Sequence, residues 1–179
     1  MNVLFTASTL PRFADDMQPP FVLHQAQAWK QKRPDDQITI LAPDDPSAAR
    51  LEQAGDITIL IEPINDRDVP GYHLSTLEQA AEIVARIGRP NLKIMADCYH
   101  IQIMGGDLVR RLEQHLPMIG HIQFAAVPSR GRPDEGELNY PWIAGALTAM
   151  GYDGYLGAEY RPEGMTDDGL GWMAGIQSR

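Results

Sequence analysis

Cysteine is almost absent from this sequence, whose 179 residues include only one, Cys98. A single thiol excludes an intrachain disulfide, so we expect a protein of a reducing compartment. Long apolar runs are also missing at the N-terminus, where MNVLFTASTLPRF has no basic region and only a five-residue, mostly apolar run. This segment reads as neither a signal peptide nor a membrane anchor, so we expect a cytoplasmic protein with no membrane partner.

Several common motifs are missing too. The chain contains no dinucleotide fingerprint, P-loop or zinc-ligand spacing, so nothing indicates a nucleotide cofactor or a structural zinc ion. Acidic residues outnumber basic ones, with 24 Asp and Glu against 15 Lys and Arg, and the formal net charge is −9. The short basic stretches GDLVRR and SRGR do not offset that charge, so we expect no nucleic-acid partner.

What the sequence does contain is a regular alternation of short apolar runs and helical patterns. The predicted strands are 2–8, 38–43, 57–62, 92–97, 121–125 and 155–160. The predicted helices are 21–32, a short one within 44–56, 75–88, 107–117 and 140–151. Ser75 and Glu78 are interpreted as a capping box, the segment 98–106 as a loop, and the residues after 160 as a polar tail.

Almost continuously apolar strands that alternate with helices are typical of a parallel sheet covered on both faces. Four strand–helix units in series are half of an eight-unit barrel. We therefore predict an α/β fold, a partial (β/α) TIM-like barrel with four C-terminal βα units plus an N-terminal βαβ segment. The predicted parts are residues 1–45 and residues 46–179.

Four polar side chains lie at or just past the ends of predicted strands: Glu62, Asp97, Gln123 and Glu159. Their separations are close to one strand–helix repeat of about 30 residues. Because the C-terminal ends of parallel barrel strands meet at one mouth, these oxygen donors are expected to point at one place. Three carboxylates and an amide suit Mg²⁺ or Mn²⁺ better than Zn²⁺, so we predict a site for one of these cations.

From about residue 50 onward the chain closely resembles the hydroxypyruvate isomerase family, within the xylose-isomerase-like TIM barrels. The resemblance is carried by LIEPINDRDVPGYHLST, DCYHIQIMGGDL, GHIQFAAVPSRGRPDEGELNYPW and GYLGAEYRPEGMTDDGLGW, in the family's order. It implies a divalent-metal site whose ligands match Glu62, Asp97, Gln123 and Glu159. Glu62 and Glu159 also match the pair of carboxylates that shuttle the proton, and Gln123 stands where related epimerases have a histidine.

The resemblance also implies residues near the substrate. His100 matches a histidine at the substrate oxygen, and Arg130 matches a substrate-facing arginine. Asp68 and Glu137 fall in loops over the mouth. Arg130 is expected to pair with a substrate carboxylate, because a guanidinium group matches it in bidentate geometry. Glu137 is expected to orient a ligand or Arg130.

One departure from the family is large, because this chain supplies only the last four of about eight strand–helix units. In place of the front half, residues 1–45 resemble the N-terminal start of group 1 glycosyltransferases, without that family's donor-sugar site. We interpret the chain as a fusion of two gene pieces joined near residues 44–56. The N-terminal strands could close the sheet, or a homo-oligomer could complete a barrel.

The function that this resemblance implies is isomerisation of hydroxypyruvate to tartronate semialdehyde by metal-assisted enediol proton transfer, with a small hydroxy or keto acid as the partner. Two alternatives remain open. The first is a catalytically inactive fusion or fragment that folds, with or without binding a divalent cation. The second is a ketose epimerase that uses a closely related site.

Overall fold

A computed structural model of the chain describes residues 2–6, 30–35, 37–41 and 57–177. In these ranges six strands form one parallel sheet in the order β1 to β6. The strands are β1 (Asn2–Thr6), β2 (Gln37–Leu41), β3 (Thr58–Ile61), β4 (Leu92–Asp97), β5 (Ile119–Phe124) and β6 (Leu156–Ala158). The predicted α/β fold and its parallel order are confirmed, with β1 and β6 at the two ends of the sheet.

Helices connect and follow the later strands. They are α1 (Leu77–Ile87), α2 (Cys98–Gly105), α3 (Leu108–His115), α4 (Tyr140–Ala149) and α5 (Met173–Gln177), with 3-10 turns at Leu116–Met118 and Thr166–Trp172. Residues 30–32 are also helical, in agreement with the end of the helix predicted over 21–32. In the part of the chain that the structure describes, no helix has the length and apolar character needed to cross a membrane.

Some predicted features lie outside the described residues. These are the first nine residues of the helix over 21–32, the ends of the first two strands and the short helix within 44–56. The predicted boundary between residues 45 and 46 also falls there and stays a prediction. Backbone pairing between β2 and β3 nevertheless joins Thr39–Leu41 to Thr58–Leu60, so one sheet continues across that boundary.

The core lies between the sheet and the helices. Alternate residues of the central strands pack against α1, α3 and α4, and the buried side chains from these strands are Ile59, Ile61, Leu92, Ile94, Ala96, Ile119, Ile122 and Phe124. From the helices, Leu77, Val84, Leu112 and Leu147 fill the opposite side. Burial of Cys98 agrees with its interpretation as a small core residue.

Three local predictions are wrong. The segment interpreted as a loop over 98–106 forms α2, because Asp97 caps its first turn and Gly106, at φ +60°, ends it. The cap of α1 is Thr76 with Gln79, one residue later than the predicted Ser75 with Glu78. The segment interpreted as a polar tail contains the last 3-10 turn and α5, and Trp172 packs edge-to-face on Phe124.

A bulge in β5 decides which side chains face away from the helices. Ile94 pairs with Ile119 but Met95 pairs with His121, so Gly120 is an extra residue in the ladder. A strand normally places alternate residues on one face, and an extra residue reverses that alternation. Because of the bulge, both Ile119 and Ile122 reach the helix-covered core. Gln123 consequently shares the opposite face with its pairing partner Asp97.

Gly120→Ala should destabilise the protein by about 1–3 kcal/mol, because overpacking forces neighbours to move. A Cβ at this position would lie 2.6 Å from Leu60 Cδ2 and 2.8 Å from Lys93 Cβ. Gly145→Ala in α4 is the matched control, since a Cβ there meets nothing within 4 Å, and it should stabilise the helix by about 0.5–1 kcal/mol. Urea unfolding measures both, and equal effects would contradict the bulge packing.

Candidate functional site

The four predicted strand-end residues occupy corresponding places in the sheet. Glu62 directly follows β3, Asp97 is the last residue of β4, Gln123 is the penultimate residue of β5, and Glu159 directly follows β6. All six strands run parallel, so these ends lie at one edge of the sheet. The main-chain N–H of Glu159 donates to the carbonyl of Phe124, which ties the end of β6 to that of β5.

Three side chains form a compact cluster at that edge. One ligand atom from each of Glu62, Asp97 and His100 lies within 4.8 Å of the other two. Nε2 of His100 is 3.8 Å from Oε1 of Glu62 and 3.6 Å from Oδ2 of Asp97. All three residues are buried, with Asp97 fully so. The cluster joins the ends of β3 and β4 to the first turn of α2.

Three side-chain oxygens at this edge of the sheet lack hydrogen-bond partners. Oε1 of Glu62, Oδ2 of Asp97 and Oε1 of Gln123 are buried and accept no hydrogen bond from any described residue. Asp97 uses its two oxygens differently, because Oδ1 accepts from the main-chain N–H of Tyr99 at 2.9 Å as the cap of α2. Buried polar atoms are nearly always satisfied, so several unsatisfied acceptors in one place require an explanation.

Both buried carboxyl groups resist ionisation. Burial, followed by repulsion from Asp97 and Glu159, raises the pKa of Glu62 to about 8. Burial is also the main cause that raises the pKa of Asp97 to about 7, against the lowering effects of the Tyr99 N–H and the charge of Arg130. Charges of the same sign that share a site disfavour ionisation in this way. The pair would therefore gain from a nearby positive charge.

Arg130 supplies part of that charge. Its NH2 group lies 3.7 Å from Oδ2 of Asp97 and 3.3 Å from Oε1 of Glu159, and its Cζ lies 5.1 Å from the centre of the Tyr99 ring. The backbone of Arg130 has φ +55°, a region that favours glycine. Main-chain hydrogen bonds to Ala126 and from Arg161 hold it there. Such conformations are retained where the surrounding structure enforces them, often at functional sites.

The remaining predicted residues lie further out. Glu159 has a side chain that is 49% exposed and contacts Arg130, so it faces the open side of the cluster. Oδ2 of Asp68 accepts hydrogen bonds from the hydroxyl of Tyr99 at 2.6 Å and from Nδ2 of Asn65 at 3.1 Å. Glu137 is exposed and accepts a hydrogen bond from Gln102 at 3.1 Å. The substrate-binding roles of Asp68 and Glu137 stay predictions.

Sequence analysis missed one residue of this region, Asn65. It is fully buried, and both its main-chain N–H and its Nδ2 lie against Nδ1 of His100, at 3.3 and 2.6 Å. Burial lowers the pKa of His100 to about 4, which keeps the ring neutral. A single loop asparagine gives no distinctive sequence signal. The one available indication was its position, three residues after the strand-end Glu62.

The donor set at this edge fits a hard divalent cation. Mg²⁺ and Mn²⁺ prefer carboxylate and carbonyl oxygens, and the three unpartnered atoms are two carboxylate oxygens and one amide oxygen. Glu62, Asp97 and Gln123 could hold such an ion, with Glu159 at the open side. His100 is the only nitrogen donor in the described cluster, and the hydrogen bonds at its other ring nitrogen decide whether it can also serve as a ligand.

Comparison with known proteins identifies relatives of this chain. A 2-oxo-tetronate isomerase of Cupriavidus necator is 48% identical over 126 residues, which are 70% of this chain and 48% of that protein. A hydroxypyruvate isomerase of Escherichia coli is 43% identical over 126 residues, which are 70% and 49% of the two chains. The chain thus spans about half the length of the curated relatives it matches. These matches confirm the resemblance to hydroxypyruvate isomerases.

A solved structure and a family model extend the match across the described fold. The crystal structure titled AP endonuclease, family 2 from Brucella melitensis is 34% identical, superposes with a TM-score of 0.78, and matches 96% of this chain and 77% of that one. The family model described as the xylose isomerase-like TIM barrel matches residues 8–176. The chain belongs to the xylose isomerase-like TIM barrel family.

Proposed function

We propose that this chain carries an isomerase site that interconverts hydroxypyruvate and tartronate semialdehyde by moving a proton between adjacent carbons. The observation that carries the proposal is the set of three buried, unpartnered oxygens on Glu62, Asp97 and Gln123 at one edge of the sheet. Two curated relatives named as isomerases of hydroxypyruvate and 2-oxo-tetronate support the reaction class. A divalent cation, when bound, would stabilise negative charge that develops on the substrate oxygens.

Proton transfer falls to Glu62 and Glu159. A carboxylate next to the substrate removes a proton from the carbon beside the carbonyl, and a carboxyl group delivers a proton to the former carbonyl carbon. The hydroxyl proton of the first carbon passes to the former carbonyl oxygen, so the product is an isomer of the substrate. Glu62 is buried inside the cluster, where a bound cation would favour its ionised form, the form that can accept a proton. Glu159 approaches from the opposite end of the row of strands, and its side chain remains half exposed.

Arg130 and His100 would bind the substrate's own oxygens. Arg130 has a side chain that is 19% exposed and already lies beside two carboxylates. A small acid could therefore replace part of that contact with its own carboxylate, in the bidentate geometry that guanidinium groups favour. The His100 ring faces the same cluster from α2. These two contacts favour a short hydroxy or keto acid over an uncharged sugar, and hence the isomerase over a ketose epimerase.

Glu159→Gln should lower kcat for hydroxypyruvate isomerisation by about 10²–10⁴-fold, because removing a positioned acid–base group typically has that effect. Glu163→Gln is the matched control: it makes the same change four residues further on, at an exposed glutamate, and should leave kcat unchanged. Assays with Mg²⁺, Mn²⁺ and a chelator provide the measurement. Activity that persists in chelator, or that survives Glu159→Gln, contradicts the proposal.

Two other outcomes would favour the alternatives. A protein that gains thermal stability from Mn²⁺ but does not isomerise hydroxypyruvate or a four-carbon 2-oxo acid would be the inactive, cation-binding module. Turnover of ketoses in preference to these acids would indicate an epimerase. Cytoplasmic location, the absence of nucleic-acid and membrane partners, self-association, and the glycosyltransferase-like origin of residues 1–45 stay predictions.

Glu62→Gln should flatten the pH dependence of stability in the cation-free protein. Because the pKa of Glu62 rises from 4.5 to about 8 in the folded state, the folded protein keeps a proton that the unfolded chain releases. The contribution of Glu62 to stability is therefore largest below about pH 4.5 and is lost as pH rises toward 8, by up to about 1.4 kcal/mol per pH unit for one proton. Replacing the carboxyl group removes this contribution.

Urea unfolding at about pH 5.5 and about pH 8, in a chelator, measures this effect. The control is Glu82→Gln at an exposed position on α1, which should follow the wild-type protein. Adding Mn²⁺ should stabilise the wild type more at the higher pH, because protons and cations compete for the same oxygens. Parallel pH curves for wild type and Glu62→Gln would contradict the assignment.

A further inference from the structure

His100 contacts its surroundings through two ring nitrogens with different neighbours. Nε2 faces the carboxylate cluster, 3.8 Å from Oε1 of Glu62 and 3.6 Å from Oδ2 of Asp97. Nδ1 faces Asn65, whose main-chain N–H lies at 3.3 Å and whose Nδ2 lies at 2.6 Å. In a neutral imidazole one nitrogen donates and the other accepts. The identity of the groups at Nδ1 therefore determines which atom faces the cluster.

Both groups of Asn65 that meet Nδ1 are donors. A main-chain N–H has no lone pair to offer, and the side-chain NH₂ has none either. Nδ1 must then accept, which leaves the ring proton on Nε2. A protonated Nε2 has no free lone pair for a metal ion, but it can donate a hydrogen bond to an oxygen placed among the carboxylates.

The orientation of the Asn65 amide is itself fixed by Asp68. Oδ1 of Asn65 accepts from the main-chain N–H of Asp68 at 2.8 Å, while Nδ2 donates to Oδ2 of Asp68 at 3.1 Å. Rotating the amide by half a turn would place its oxygen against a carboxylate and its NH₂ against an N–H. The hydroxyl of Tyr99 and a guanidinium nitrogen of Arg67 complete this network. The network therefore specifies one amide orientation.

We propose that Asn65 is a positioning residue that holds His100 as the Nε2–H tautomer, so that this ring acts as a hydrogen-bond donor to the substrate and is not a metal ligand. The catalytic part of this inference rests on the proposed function. The tautomer itself rests on the contacts of Asn65 and can be measured in the cation-free protein. It also assigns separate roles at the site: the oxygens of Glu62, Asp97 and Gln123 would hold a cation, and His100 would contact the substrate.

Nitrogen-15 NMR of the ring atoms tests the tautomer directly in the unmutated protein. The chain has five histidines, so labelling at histidine and a comparison with His100→Gln assign the signal. At neutral pH in a chelator, we expect a proton on Nε2 of His100 and none on Nδ1. A spectrum that places the proton on Nδ1, or shows an equal mixture, overturns the proposal without any variant.

Asn65→Asp should place a proton on Nδ1, because a carboxylate oxygen replaces the donor beside it. The new oxygen also lies against Oδ2 of Asp68, so urea unfolding of the variant is measured as well. In that variant kcat for hydroxypyruvate should fall by on the order of 10²-fold, the usual effect of removing one donor to a developing oxyanion. Asn139→Asp is the matched control: Oδ1 of Asn139 caps α4, and an aspartate caps equally well, so tautomer and kcat should stay unchanged.

Asn65→Ala distinguishes loss of the side-chain contact to His100 from the effect of an added charge. This variant keeps the main-chain N–H that contacts Nδ1 and introduces no new charge. We expect it to retain the Nε2–H tautomer in part and to lose less activity than Asn65→Asp. If Asn65→Asp keeps both the wild-type tautomer and the wild-type kcat, the positioning role is wrong. If the wild-type and variant tautomers are as expected but neither protein isomerises hydroxypyruvate, the positioning stands and the proposed function fails.

Discussion

The structure of this site depends on the burial of two carboxyl groups, Glu62 and Asp97, at the ends of adjacent parallel strands. Parallel pairing of β3 with β4 brings the two groups to the same edge, and burial keeps water from solvating them. The cost appears as pKa values raised to about 8 and about 7 and as one unsatisfied oxygen on each group. A buried pair of like charges is retained in a fold only where a positive charge or a proton compensates it.

Neighbouring residues offset the buried negative charge and fix the geometry of the site. Arg130, held at φ +55°, lies between Asp97 and Glu159 and offsets part of the negative charge. Beside His100, the buried Asn65 and the exposed Asp68 form a hydrogen-bonded network that fixes the orientation of the His100 ring. Because the contacts with Asp68 favour one orientation of the Asn65 amide, the orientation of the His100 ring is set before any ligand binds. Preorganisation of this kind is the main way in which enzymes stabilise developing charge.

The sequence predicted the strands and the row of strand-end oxygen donors, because both follow from apolar runs of strand length. It did not predict α2, since the buried residues Cys98, Tyr99, His100 and Ile101 are consecutive and show no helical period. It also could not show that the bulge at Gly120 turns Gln123 toward Asp97, because a one-residue shift leaves no trace in the apolar pattern. Asn65 was missed because its role depends on a contact 35 residues away along the chain.

The matched residues make up only about half of each of these relatives, so the account rests on whether the described strands suffice to build the site. A crystal structure grown with Mn²⁺, located by its anomalous scattering, tests this directly. The account predicts an ion bound by oxygens of Glu62, Asp97 and Gln123 at about 2.0–2.3 Å, as for hard divalent cations, with His100 outside bonding distance. Carboxylates that point apart with no ion between them, or an ion held by Nε2 of His100, would contradict it.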